Sequence, residues 1–211
     1  KPVIRLNGNI DLRSGDGTIS SPYVIEDEST LFGSYVKLGN DMWLVYNVNG
    51  DNVKLILDNY LIVDGIELEI KYSTSNYYHN DTVKNSLAYY LNNDYFNSLS
   101  YKDVILNDSW SNYYYSDEIG YNYSDVINTK IDTKVSVISI GDVIFNDNSL
   151  DKFYTNTGVN STDNLIYTIN GNGTTSRRRV NYPSYVVPTI SINKNILTKG
   201  TGSIDAPYEM G

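Results

Sequence analysis

Apolar residues along the chain fall mostly on a period of two, interrupted once by a stretch with the helical period. Residues 31–39 (Leu-Phe-Gly-Ser-Tyr-Val-Lys-Leu-Gly) and 42–49 (Met-Trp-Leu-Val-Tyr-Asn-Val-Asn) predict two strands joined at Gly39-Asn40-Asp41. Asn49-Gly50-Asp51-Asn52 is a hairpin signal, and residues 53–58 supply a third strand. Another alternating stretch covers residues 65–71. Between 83 and 99 the period changes. Val83, Leu87, Tyr90, Leu91, Tyr95 and Leu99 share one helical face, and Asp81 or Thr82 stands where a cap belongs. Ser100 with Asp103 has the form of a second capping arrangement, opening a short helical turn. Residues 107–125, dense in Asn, Ser, Asp and Tyr, read as irregular. A near-continuous apolar run at 135–140 predicts a strand, and 141–145 the start of a short helix. Residues 165–169 and 174–180 flank Asn170-Gly171-Asn172-Gly173 as a hairpin, and 186–192 form the closing strand. Many strands with one or two helices between them predict an α+β fold with a mostly antiparallel sheet.

The two ends of the chain carry a repeat. Pro2, Ile4, Asn7, Asn9 and Ile10 return as Pro188, Ile190, Asn193, Asn195 and Ile196, an offset of 186 residues. Past the single inserted residue Asp11 the offset is 185: Leu12, Gly15, Gly17, Ile19, Pro22 and Tyr23 return as Leu197, Gly200, Gly202, Ile204, Pro207 and Tyr208. Such an ordered match is not expected by chance. Each copy reads as a strand, a short second run, a Gly-x-Gly turn and a Pro-Tyr exit. A phosphate cradle would need a helix after the glycines. Ser20-Ser21-Pro22 follows instead, so the glycines are structural. The repeat predicts that residues 1–26 end one tandem unit and 27–211 form a complete next unit, within a longer parent protein.

Composition narrows the setting. Against 16 Lys+Arg stand 25 Asp+Glu, for a net charge of −9. Such a chain repels phosphate backbones, so nucleic acid is not an expected partner. No apolar run approaches the ~20 residues a membrane span needs, so this segment is not expected to insert. Cysteine is absent, which removes thiolate chemistry and disulfides together and leaves a cytosolic or a Gram-positive-type surface protein. The 21 Tyr and 27 Asn match an AT-rich codon bias, and they also suit a surface that stacks and hydrogen-bonds.

The order of motifs resembles a domain-of-unknown-function family of Gram-positive bacterial surface and pilin-associated proteins. Tyr35-Val36-Lys37-Leu38-Gly39 leads to Trp43-Leu44-Val45; Ser86-Leu87-Ala88-Tyr89-Tyr90-Leu91-Asn92 with Phe96 forms the helix motif; the strand at 135–142 and the Pro188-to-Tyr208 segment complete the order. The family is distantly similar to C-type-lectin-like and sulfatase-modifying-factor-like folds. The resemblance implies a mixed α+β body and an extracellular, cell-surface location. Sulfatase-modifying chemistry relies on cysteine, which this chain lacks, and the calcium and sugar motifs of C-type lectins are not visible.

Candidate chemistry is sparse. Trp110, Tyr113, Tyr114, Tyr115, Tyr121 and Tyr123 form an aromatic-rich stretch beside Asn112, Asp117 and Asn122, the composition of a sugar- or peptide-stacking loop. The same rings would equally pack that loop onto the body. His79 is the single histidine, through which any Ser-His-Asp mechanism must pass, and a loop position explains it as well. Glu67 and Glu69 share a strand face but nothing marks them as a hydrolytic pair. No cofactor is expected; Asp147, Asn148 and Asp151, or Asn107 and Asp108, offer oxygens to Ca²⁺ without the spacing of an EF-hand loop. Arg177-Arg178-Arg179 reads as a charged edge strand that blocks aggregation. The leading expectation is a non-enzymatic module for adhesion or ligand binding, with a glycan or protein ligand and neighbouring tandem domains as partners. The alternatives are a structural spacer and, third, a hydrolase.

Overall fold

A computed structural model describes residues 11–14, 18, 24–26, 31–73, 83–115, 126–140, 153–158, 164–170 and 174–211. In chain order, β1 (Asp11–Ser14) pairs antiparallel with β2 (Val24–Glu26). A meander follows: β3 (Tyr35–Leu38), β4 (Asp41–Asn49) and β5 (Asn52–Leu57), turning at Gly39-Asn40 and at Gly50-Asp51 as their residues dictate. The short strands β6 (Ile62–Val63), β7 (Ile66–Glu67) and β8 (Glu69–Ile70) come next. A helical run occupies 87–98 and a 3-10 turn Lys102–Val104. The remaining strands are β9 (Asp108–Tyr115), β10 (Val126–Thr133), β11 (Val135–Val137), β12 (Phe153–Gly158), β13 (Leu165–Ile169), β14 (Thr175–Arg179), β15 (Ser184–Tyr185), β16 (Pro188–Asn193), β17 (Leu197–Lys199) and β18 (Tyr208–Met210).

The strands assemble mainly into two seven-stranded sheets. One runs β11-β16-β5-β4-β3-β18-β17, antiparallel throughout except where β18 lies parallel to β3. The other runs β10-β9-β12-β13-β14, with β15 bridging β12 to β8. The fold is α+β and rich in antiparallel pairing. Along β5 burial alternates, so Val53, Leu55 and Leu57 enter the core while Asn52, Lys54 and Ile56 are only half-buried. The strand β16 is covered on both faces, which is why Thr189 and Ser191 are as buried as Ile190 and Ile192. One core joins these residues to Trp43, Tyr72, Leu87, Leu91, Trp110, Tyr154 and Ile166.

The helix is shorter than its apolar period suggested. Ser86 has extended backbone, and its Oγ accepts from the Tyr89 N–H at 3.0 Å, so Ser86 is the cap. Asp81 and Thr82 lie outside the described residues. The middle of the run, Leu91–Tyr95, is a π-helical turn. There the Asn92 and Asn93 amides donate back to the Ala88 and Tyr89 carbonyls (3.0 and 2.9 Å). Asn92 also receives the Val135 N–H and donates to the Val135 carbonyl, both at 2.9 Å, and accepts from Thr133 Oγ1 at 2.7 Å. One amide thus ties the helix to the β10–β11 junction. The turn expected near Ser100 is present, without a side-chain cap.

Residues 108–115 differ from expectation, and 116–125 lie outside the described residues. Asp108–Tyr115 is an eight-residue strand paired residue for residue with β10, from Asp108↔Thr133 to Tyr115↔Val126. Tyr, Trp and Ser carry no hydropathic alternation there, yet aromatic residues favour the pleated backbone. The strand expected at 135–140 is shorter, Val135–Val137, and residues 141–145 lie outside the described part.

Where both copies are described, the strands of the terminal repeat pair alike. In β17–β18 Leu197 faces Met210 and Lys199 faces Glu209, with a bulge between. In β1–β2 Leu12 faces Ile25 and Ser14 faces Val24, with a bulge at the same place. All four partners are related by the offset of 185 read from the sequence. At the C-terminal copy, Gly200 has φ +87° and Gly202 φ +80°. The Tyr35 N–H donates to the Gly202 carbonyl at 2.8 Å, which, with the Tyr208↔Val36 pairing, seats the hairpin on β3.

Candidate functional site

The aromatic stretch is not gathered into one described surface. Trp110 is only 3% exposed; its indole N–H donates to the Thr133 carbonyl at 2.9 Å and the Lys54 ammonium lies 4.4 Å from its ring centroid. Trp110 is therefore a core side chain, not a ligand-facing ring, because β9 turns it inward. Tyr113, Tyr114 and Tyr115 lie on β9, while Tyr121, Tyr123 and His79 fall outside the described residues. Asp147, Asn148 and Asp151 do so too. Asp108 serves the fold: its Oδ1 accepts from the Ser109 N–H at 2.7 Å and its Oδ2 lies 4.0 Å from Lys54 Nζ. Among the described residues no group of three or more His, Asp or Glu stands ready for a metal. Arg177–Arg179 occupies the edge strand β14, with Arg178 donating to the Pro183 carbonyl.

A cleft of about 640 Å³ opens elsewhere, where the start of β4, the segment after β5 and the π-turn meet. Its acids are Asp41, Asp58, Asp64 and Asp94, its rings Tyr60, Tyr90 and Tyr95, and Asn40 and Asn59 add amides. Among the described residues no basic side chain lines it. Asp64 reaches it because Asp64-Gly65, both at positive φ (53° and 79°), form the two-residue turn of the β6–β7 hairpin. The Asp-Gly pair is the sequence signal that marks this turn. Exposed Ile62 and Val63 belong to the same wall.

The electrostatics follow from that lining. The Tyr101 hydroxyl donates to Asp41 Oδ2 at 2.5 Å, which fixes the carboxylate. Burial first, then Asp94 and Asp64, push the Tyr90 phenol above its ordinary pKa. Burial, then Asp41, does the same to Tyr95. Both phenols stay protonated at neutral pH; the Tyr95 hydroxyl is itself buried, so Tyr90, half-buried, is the phenol that can donate into the cleft. Tyr60 stacks on Tyr185 with centroids 4.5 Å apart. The cleft thus offers carboxylate acceptors, the Tyr90 phenol as a donor and an aromatic wall in a negative field. It suits an uncharged polyhydroxyl or a cationic ligand and repels anions. Neither a family model, nor a curated protein, nor a solved structure matches the chain.

Proposed function

We propose that the chain is a non-enzymatic, extracellular module of a bacterial surface protein, repeated in tandem and used for adhesion. The observation that carries this reading is the duplicated hairpin. Two segments 185 residues apart share their glycines, their Pro-Tyr exit, their register and their bulge. A duplication of this kind is the mark of a unit in an array. The acidic charge, the absence of cysteine and the abundance of Tyr and Asn agree with an exposed bacterial surface. The cleft lined by Asp41, Asp64, Tyr60 and Tyr90 is the ligand site of this proposal, with a glycan as its ligand class.

The test is a glycan array probed with the whole chain, once with Ca²⁺ and once with EDTA. Reproducible binding that falls about tenfold in Tyr60→Ala supports the reading, a loss on the scale of one aromatic contact. Loss in EDTA would add a cation to the site. A blank array in both buffers removes the glycan ligand and leaves a protein ligand or a spacer.

A further inference from the structure

We propose that the β3 edge is a receptor for the β1–β2 hairpin of a second copy of this chain, so that copies join by hairpin exchange. The edge is occupied within the chain by β18, which pairs parallel to β3 through Tyr208↔Val36 and Glu209↔Lys37. Three features make that seat. Gly202 leaves room for Ser34 and the Tyr208 ring, since a Cβ there would lie 2.7 Å from Ser34 Oγ and 2.5 Å from the ring. Gly200 lets the Pro207 carbonyl approach, where a Cβ would lie at 1.9 Å. The Gly202 carbonyl takes the Tyr35 N–H. The N-terminal hairpin has Gly15, Gly17, Pro22 and Tyr23 at the matching positions, and its strands have the matching register.

Among the described residues, β1 and β2 pair only with each other. Their own β3 is already paired with β18. Only residues 27–34 separate β2 from β3, and parallel neighbours need a crossover of about a dozen residues or more. The last of those residues are already held, with the Gly33 N–H on the Val45 carbonyl and the Ser34 N–H on the Leu31 carbonyl (2.8 and 2.9 Å). The hairpin therefore fits the β3 edge of another copy: the adjoining unit in an array, a second molecule in solution. In the intact chain the tethered β17–β18 hairpin holds the edge by its high effective concentration. Nine of the fifteen aligned positions differ between residues 12–26 and 197–211, and one of these is paired with β3. Glu209, 4.0 Å from Lys37, is replaced by Val24 in the N-terminal copy. The pair is exposed, so its loss weakens the seat little.

This inference rests on the reading of the chain as an array unit, but it is tested at the sheet edge and not at the cleft. Failure here therefore leaves the glycan experiment standing. The full chain carrying Gly202→Val, which unseats its own hairpin, is titrated with a synthetic peptide of residues 9–26. A peptide of residues 194–211 is the positive control, and the 9–26 peptide with Gly17→Val and Tyr23→Ala the negative one. Both native peptides are expected to raise the thermal midpoint and the altered one is not. In sizing experiments Gly202→Val alone associates, whereas Gly17→Val with Gly202→Val stays monomeric. A midpoint raised by 194–211 but not by 9–26 overturns the proposal. If Gly202→Val does not fold, residues 197–211 of the wild-type chain are replaced by residues 12–26. A midpoint within about 3 °C of wild type supports interchange, and a fall equal to that of a Gly/Ser replacement overturns it.

Discussion

Gly200 turns at φ +87° between β17 and β18, and a Cβ added there would meet the Pro207 carbonyl oxygen at 1.9 Å and its carbon at 2.6 Å. Both obstacles are backbone, so no rotamer relieves them. In Gly200→Ala the left-handed conformation alone costs about 1–2 kcal/mol. Relieving the overlap also separates the facing backbones. That breaks the bonds from the Thr201 and Gly202 N–H groups to the Ala206 carbonyl, now 2.9 and 3.0 Å long. At about 1 kcal/mol each, they bring the total to about 3–4 kcal/mol. Gly50→Ala is the control: φ is +59° with nothing within 4 Å. Only the conformational part applies there, about 1–2 kcal/mol. Thermal unfolding is expected to show a midpoint lowered by about 6–16 °C in Gly200→Ala. Amide exchange at Tyr208–Met210 reports whether the hairpin opens ahead of the body. If Gly200→Ala costs no more than Gly50→Ala and the β18 amides stay protected, the close approach at Gly200 is refuted.

Asn92→Ala removes the amide that ties the π-turn to Val135 and Thr133, and urea titration is expected to show a loss of about 2–3 kcal/mol. Trp110→Ala is expected to cost about 3–5 kcal/mol in the same assay; unchanged stability would return Trp110 to the ligand-facing rings. Burial first, with smaller charge effects, pushes the Tyr154 phenol from 10.0 up to about 12. The unfolded chain gives up that proton near pH 10 while the folded chain keeps it. Stability is therefore full below pH 10 and falls as pH rises toward 12, and Tyr154→Phe makes the fall shallower. Denaturant midpoints at pH 8, about 10 and about 11.5 check the sign, and a flat profile would contradict it.

What could be read ahead of the structure was what local pattern encodes. The β3–β4–β5 meander, the β13–β14 hairpin and the strand at Pro188–Asn193 combine apolar alternation with Gly- or Asn-bearing turns. The hairpin of β9 and β10 was hidden because its Tyr, Ser and Asn residues carry no hydropathic period. The helix start was displaced because Val83, in phase with the helical face, lies in the turn before the Ser86 cap. The cleft was illegible for another reason: Asp41, Asp64 and Asp94 come from three separate segments, and only tertiary packing brings them together. The terminal repeat was the clearest feature of all, and the strands that flank its glycines and Pro-Tyr return with a shared register and bulge.

Thermal unfolding of three chains tests the central claim most directly: residues 1–211, residues 27–211, and residues 1–196. If residues 1–26 belong to another unit, their removal leaves the midpoint within about 2 °C, whereas loss of 197–211 lowers it by about 10 °C or more. A fall on removing 1–26 as large as that on removing 197–211 would contradict the division of the chain into the end of one unit and the body of the next.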